Sequence, residues 1–256
     1  MGAASGTQAA RPVAVVTGGT GGIGGAICRA LARGGFAVVI GFHRSADAAN
    51  RLCAALEGGG HVALQASVTD SAALEAMAGW VRKRFARCDV LVNCAGITRF
   101  VAHDDLDGLD DALIDEILAT NVRGSFAAVR ALAPLLRSSA WPGGAVVVNI
   151  SSIAARTAMG SNVMYCASKA ALDNMTQSLA RALAPAVRVV SVSPGLVDTE
   201  FVKSLDPGWR DAQAARTALG RLAAPHEVAD AVIAAVRDLR FSTGCVLAVD
   251  GGRPLN

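Results

Sequence analysis

Tyr165 and Lys169 stand four residues apart in Tyr165-Cys166-Ala167-Ser168-Lys169, and Ser152 precedes the tyrosine by thirteen positions. Side chains four apart share one face of a helix. A phenol is a poor acid or base at neutral pH, with an ordinary pKa of about 10. An ammonium one turn away favours the tyrosinate. Lowering the pKa by ~3 takes roughly 4 kcal/mol of differential stabilisation. A lysine in a dry site, helped by the positive charge of a bound cofactor, supplies that amount. The Ser152 hydroxyl can orient and polarise a substrate oxygen. The trio reads as a proton-handling device, although a Tyr-x-x-x-Lys pair alone also describes an ordinary helix surface.

A second constellation lies near the start. Thr17-Gly18-Gly19-Thr20-Gly21-Gly22-Ile23-Gly24 follows the apolar run Val13–Val16 and precedes a helix-like stretch, Gly25–Arg33. Strand, glycine loop and helix, in that order, form the context of a dinucleotide site. Glycine allows the tight turn and lets backbone approach a pyrophosphate. The helix start presents unpaired N–H groups and a positive dipole end to that anion. The other reading is a glycine-rich surface turn.

The elements that must position these residues follow from apolar patterning. Near-continuous apolar runs at Val13–Thr17, Ala37–Ile40, Val62–Gln65, Asp89–Asn93, Ala145–Ile150, Val187–Val192 and Cys245–Val249 predict strands. Runs without alternation belong to a parallel sheet buried on both faces. Helices are expected over Asp47–Leu56, Ala72–Phe85, Met164–Leu183 and His226–Leu239, the last after Pro225. Leu113–Leu136 spans two more, with a break at Asn121–Gly124. Alternating strands and helices predict one α/β domain, a doubly wound parallel sheet of about seven strands with helices on both faces. Residues 1–10 read as a flexible leader and 11–256 as the domain. Residues 195–220, with Phe201, Val202, Leu205, Pro207 and Trp209, form a long segment after the sixth strand. That position predicts substrate cover; packing on a partner subunit is the alternative. The acidic cluster Asp104, Asp105, Asp107, Asp110 and Asp111 reads as a solvated loop and helix start.

Bulk properties narrow the function classes. The 256 residues are 52% apolar and carry a formal net charge of +3. That balance builds a large core and gives no basic surface for nucleic acid. Apolar runs are strand-length, far short of the ~20 residues of a membrane span. The start has neither a secretory pattern nor a myristoylation motif, because Gly6 occupies the required Ser/Thr position. Six cysteines without a C-x-x-C pair suggest reduced thiols in a cytoplasmic protein. No metal-ligand spacing is present.

Seven segments now stand in order: Thr17–Gly24, Asn93-Cys94-Ala95-Gly96, Asn121–Gly124, Asn149–Ser152, Tyr165–Lys169, Pro194–Thr199 and Asp250–Gly252. From about Arg11 to Gly252 the chain resembles the short-chain dehydrogenase/reductase family, and in look its 3-oxoacyl-thioester (acyl-carrier-protein) reductase branch. The resemblance implies a Rossmann fold. It makes Tyr165 the general acid in reduction and base in oxidation, with Ser152 rather than Ser151 holding the substrate oxygen. Lys169 would hold the nicotinamide ribose and lower the tyrosine pKa, and Asn121 would hold a water beside the lysine. Gly18, Thr20, Gly22, Ile23 and Gly24 would cradle the pyrophosphate. Asn93, Ala95 and Gly96 would line the cofactor, with Cys94 replacing the family's second asparagine. Pro194, Gly195, Val197 and Thr199 would clasp the nicotinamide amide and pyrophosphate. Ser67 stands where relatives carry an aspartate for the adenine amino group, leaving Val68 and backbone to hold the ring.

After the second strand no carboxylate appears until Asp47, and Phe42 takes the position of the family's acid. Arg44, with His43 and Ser45, can instead face a 2′-phosphate. This predicts NADP(H), with NAD as the alternative. The expected reaction is hydride transfer between nicotinamide and a ketone or secondary alcohol. A 3-oxoacyl thioester of fatty acid biosynthesis, on CoA or acyl carrier protein, leads; another ketone, sugar, steroid or polyketide-like alcohol is the alternative. A non-catalytic dinucleotide binder is the remote one. The carrier-docking stretch of relatives is here Ala184-Pro185-Ala186-Val187, short and neutral, with Arg188 just beyond. Relatives pair their two long helices, so a homotetramer or dimer is expected.

Overall fold

A computed structural model describes residues 11–204 and 206–255, the side chain of Phe201 excepted. The leader 1–10 and Leu205 of the expected substrate segment lie outside the described residues. Seven strands run β1 Val13–Thr17, β2 Ala37–Phe42, β3 Val62–Gln65, β4 Val90–Asn93, β5 Ala145–Ile150, β6 Val187–Pro194 and β7 Val246–Val249. They form one parallel sheet in the order β3-β2-β1-β4-β5-β6-β7. The chain winds outward from β1 in one direction and from β4 in the other. The crevice at their carboxyl ends is therefore the topological switch point, where open α/β sheets bind ligands.

The helices are α1 Gly22–Arg33, α2 Ala46–Ala55, α3 Ser71–Phe85, α4 Asp111–Leu118, α5 Ser125–Arg137, α6 Ala154–Thr157, α7 Val163–Leu183, α8 Glu200–Lys203, α9 Pro207–Ala215 and α10 Pro225–Arg237. Two apolar cores flank the sheet. Ile27, Leu31, Val228 and Val232 meet the Ala14 and Val16 side; Leu74, Val81, Leu132, Leu136 and Leu183 meet the Val13 and Val15 side. Each buried Leu or Val contributes roughly 1.5–3 kcal/mol by leaving water. Among the described residues no helix is long and apolar enough to cross a membrane.

Three details depart from the sequence reading. The expected break at Asn121–Gly124 is a π-helical segment, Ala119–Gly124, joining α4 to α5 without interruption. The segment after β6 carries α8 and α9 rather than open loop. Asp206 starts α9 by accepting from Trp209 N (2.7 Å), and Pro207 supplies the first helical turn. Arg188, considered beside a carrier-docking loop, is buried. Its guanidinium donates to Ala235 O and Leu239 O, both at 3.0 Å, closing the carboxyl end of α10. It has no surface to offer a carrier. The acidic cluster behaves as expected: Asp110 caps α4 through Leu113 N at 2.8 Å.

Candidate active site

A row of polar side chains crosses the carboxyl end of the sheet. Thr17, Asn93, Asn149 and Ser191 are register partners on β1, β4, β5 and β6. All four are buried. Asn93 Nδ2 donates to Asn149 Oδ1 (2.9 Å), Asn149 Nδ2 donates to Thr176 Oγ1 (2.8 Å), and Thr176 shares a 2.8 Å bond with Ser191 Oγ. Thr17 Oγ1 accepts from Cys94 N (3.2 Å) and Ala95 N (3.3 Å), turning the chain sharply after β4. Buried polar groups stabilise only when paired. This row joins four strands to α7 and fixes the height of everything above it. Asn149, Thr176, Ser191 and Thr17 were not singled out for this from the sequence. For Thr17, Asn149 and Ser191 the signal was polar residues inside strand runs otherwise apolar.

The glycine loop sits against that turn. Gly18 has φ +63°, and a Cβ there would lie 2.7 Å from Ala95 Cα. A Cβ at Gly24 would lie 2.3 Å from Gly18 O. Only glycine fits at either position. Thr20 lies in the turn itself, and Gly22 and Ile23 form the first turn of α1. The helix start, at Gly21, has no side-chain cap, so its N–H groups face the cleft unmasked. From the far side, Thr199 packs on Gly22, while Gly195 N donates to Val249 O (3.0 Å) and Val197 bridges to Ala223. Pro194 closes β6 and accepts through its carbonyl from Ile153 N at 3.0 Å. The two segments expected to hold a dinucleotide thus touch each other. The narrow backbone approach and open helix start fit a pyrophosphate.

At the other end, β2 finishes at Phe42, which is buried, followed by exposed His43, Arg44 and Ser45. Gln65 Nε2 donates to His43 O (2.9 Å), holding this turn against β3. Ser67 does not point away as a free hydroxyl: it shares a 2.9 Å bond with Thr69 Oγ1. Val68 packs on Gly124 of the π-helical segment.

Ser152 follows β5, and α7 carries Tyr165 and Lys169. Asn162 begins that helix by accepting from Tyr165 N at 2.6 Å. Ser152 Oγ accepts from Ala154 N (3.2 Å), and its hydroxyl stands close enough to the Tyr165 phenol to favour the phenolate. The backbone N–H occupies an acceptor position of the hydroxyl, which leaves its proton for the phenol oxygen. Lys169 is buried and donates from Nζ to Ile150 O at 2.8 Å. Its ammonium lies 5.6 Å from the Tyr165 ring centroid. Asn121, also buried, accepts at Oδ1 from Ile97 N (2.8 Å). Its Nδ2 donates to Ile97 O (3.1 Å) and Ser168 Oγ (3.0 Å). The π-helical widening lets it reach both the strand β4 exit and α7. Gly96 passes beside this amide and the Lys169 ammonium.

Before a bound cofactor adds its charge, the balance at Tyr165 runs the other way. The protein's own groups raise the Tyr165 pKa: burial of the phenol dominates, and the Ser152 hydrogen bond opposes it. Lys169 does not reverse this, because burial lowers its own pKa to about 8 and its ammonium is directed at a backbone carbonyl. Cys94 and Asp173 both push Lys169 back toward its charged form.

Comparison with known proteins agrees with this geometry. A family model described as enoyl-(acyl carrier protein) reductase matches residues 18–253. The ketoacyl reductase 2 inferred for the granaticin polyketide synthase of Streptomyces violaceoruber is 38% identical over 246 residues, spanning 95% of this chain and 96% of its own. The cis-4-hydroxycyclohexanecarboxylate dehydrogenase of Sinomonas cyclohexanicum is 38% identical over 247 residues, with the same two coverages, 95% and 96%. The solved short-chain dehydrogenase/reductase of Serratia marcescens BCRC 10948 superposes with a TM-score of 0.85 at 34% identity, covering 94% of this chain and 97% of that one.

Proposed function

The chain belongs to the short-chain dehydrogenase/reductase family of oxidoreductases acting on alcohol and ketone groups, and from that premise we propose that it is an NADPH-dependent reductase of a 3-oxoacyl thioester. Members of the family bind NAD(P). The observation that carries the reductase reading is the Tyr165 phenol set beside the Ser152 hydroxyl and the Lys169 ammonium. When bound, the nicotinamide supplies hydride to the carbonyl carbon. Tyr165 gives its phenol proton to the carbonyl oxygen, and Ser152 donates a hydrogen bond to that oxygen while negative charge develops. Lys169 keeps two N–H donors beyond the one spent on Ile150 O, and these hold the ribose hydroxyls. The positive charge that arrives with the oxidised cofactor adds what Lys169 lacks for lowering the tyrosine pKa. Asn121 acts by fixing Ile97 and Ser168 on either side of the lysine. Gly18, Thr20, Gly22, Ile23 and Gly24 take the pyrophosphate. Asn93, Ala95 and Gly96 line its path, and Pro194, Gly195, Val197 and Thr199 close over the nicotinamide. Val68 packs on adenine, with backbone taking the place of the Ser67 hydroxyl. Cytoplasmic residence belongs to the same reading, since none of the six cysteines is paired.

NADP selection rests on Arg44, exposed after β2 in a turn without a carboxylate. Charge-assisted hydrogen bonds to phosphate are worth about 1.5–3 kcal/mol. Arg44→Ala is therefore expected to raise the KM for NADPH roughly 10- to 100-fold and leave that for NADH unchanged. Steady-state rates with both nucleotides check this, and an equal loss for the two would remove Arg44 from phosphate recognition. NADPH oxidation in the presence of acetoacetyl thioester tests the substrate. Turnover of an unrelated cyclic or sugar ketone in its place would move the reading to the equally similar alcohol dehydrogenases.

Assembly is part of the proposal. Family members often form oligomers. Here Phe126 on α5 is 43% exposed and Val163 on α7 is 40% exposed, with Ala167 and Ala170 exposed on the same helix. Two such faces pack well on a second copy, and a further pairing completes a tetramer. Light scattering should give four times the chain mass; a monomer would refute it.

A further inference from the structure

Helix α9 touches, at both ends, one wall built from the segments that follow β4 and β5 beside the candidate site. At its start, Trp209 meets Phe100 of the segment after β4, ring centroids 6.2 Å apart and edge to face. Just past its end, Arg216 donates from Nη2 to Met159 Sδ at 3.7 Å. Met159 precedes Gly160, which lies against the Tyr165 ring, so Met159 and Gly160 connect this guanidinium to the proton donor's ring. The same wall is tied together by Val101 N to Ser161 O (2.9 Å) and by His103 Nε2 with Gly160 O (3.1 Å). This wall therefore has an aromatic side and a cationic side.

The cationic side is poorly neutralised. Arg210 on α9 is paired with Asp198 at 2.6 Å. Arg216 is exposed, its contact is a thioether, a weak acceptor, and among the described residues no carboxylate pairs with it. Arg253 is held by the Gln213 carbonyl (2.8 Å) and side-chain oxygen. Burial, then the neighbouring Arg216 charge, press Arg253 below the usual guanidinium range. Arg156 faces Asp250 at 3.9 Å. Of these guanidinium groups Arg210 and Arg156 each face a carboxylate, Arg253 is held by Gln213, and Arg216, among the described residues, reaches only Met159.

We propose that Arg216 is a specificity-determining residue that recognises an anionic group, carboxylate or phosphate, carried by the substrate beyond its reacting carbonyl. A guanidinium fork matches either anion with two parallel hydrogen bonds, and its place on this wall suits the distal end of a substrate whose carbonyl lies at Ser152 and Tyr165. The inference rests on that placement of the carbonyl. It does not depend on the thioester reading.

The test compares wild type with Arg216→Gln and Arg216→Lys on two matched pairs of ketones. Acetoacetyl-CoA and the neutral acetoacetyl thioester of N-acetylcysteamine probe phosphate. A short keto acid and its methyl ester probe carboxylate. The expected result is a roughly tenfold rise in KM for the charged member of one pair in Arg216→Gln. The kcat and both neutral KM values stay within about twofold, Arg216→Lys recovers part of the loss, and the effect shrinks at high salt. The responsive pair identifies the anion. Equal losses for charged and neutral members, or no loss at all, overturn the proposal. Wild-type turnover of the keto acid but of neither thioester would discard the thioester reading alone. Turnover of none of the four would discard both.

Discussion

Tyr165→Phe is expected to lower kcat by about 10³-fold, within the 10²–10⁴ that a positioned acid or base supplies, while nucleotide affinity changes less than about twofold. The substitution removes one hydroxyl and keeps the ring, so packing against Gly160 survives. It deletes the proton donor and leaves Ser152 without its partner. The cofactor cradle, built around Gly18, Gly24 and Thr199, is untouched. Steady-state rates and a nucleotide titration separate the two effects. Residual activity within tenfold of wild type would mean that another group donates the proton. Because Tyr165 is the only tyrosine, tyrosinate difference absorption reads this one group. In the protein alone it should titrate above the ordinary value of about 10, since burial outweighs the Ser152 bond. With oxidised nucleotide present it should titrate lower. An unshifted titration in both states would contradict the proposed role of the cofactor charge.

The sheet was legible because parallel strands buried on both faces need uninterrupted apolar runs, and these are conspicuous. Their ends were harder. β2 continues through Gly41 to Phe42 and β6 through Ser193 to Pro194, where polar or helix-breaking residues obscure the pattern. β4 starts one residue later than expected, since Asp89 serves as an acceptor for Val13 N (2.8 Å) and for Arg87. Helix α9 was hidden because Pro207-Gly208 reads as a turn, yet proline at a first helical position after a capping aspartate starts a helix equally well. Tyr165 and Lys169 could be named together because short spacing along one helix constrains geometry, whereas Ser152, in the loop after β5, was named through the family resemblance. The polar row from Thr17 to Ser191 could not, because its members become neighbours only through strand register. Arg188 is the clearest case: a basic residue beside a loop looks exposed until a distant helix end, α10, is found to need its donors.

Lys169→Met is expected to abolish most turnover and yet leave the folded state no less stable at pH 7. Burial depresses the lysine pKa from 10.5 to about 8. Below pH 8 the lysine is charged in both folded and unfolded chains, so the native state bears the full desolvation penalty, on the order of 3 kcal/mol. Between pH 8 and 10.5 the unfolded chain binds more protons, and this group makes stability rise with pH. Methionine removes the penalty and the slope. Against that, Ile150 O loses its donor, at about 1–3 kcal/mol, so the net change at pH 7 lies between zero and a small gain. Cys28, Cys88 and Cys94, raised by burial, push the opposite way as the unfolded thiols ionise. Cys28 and Cys88 do so in both proteins and cancel, whereas Cys94 interacts with Lys169, so the difference between wild type and variant reports that pair. Denaturant melts at pH 7 and pH 9.5 should show wild type gaining on Lys169→Met as pH rises. A variant that melts several degrees below wild type at pH 7, with parallel pH profiles, would mean that the ammonium stabilises the fold and that its placement beside Tyr165 costs nothing. The predicted pattern would instead show a charge held in the core against its own solvation, which a purely structural lysine has no reason to be.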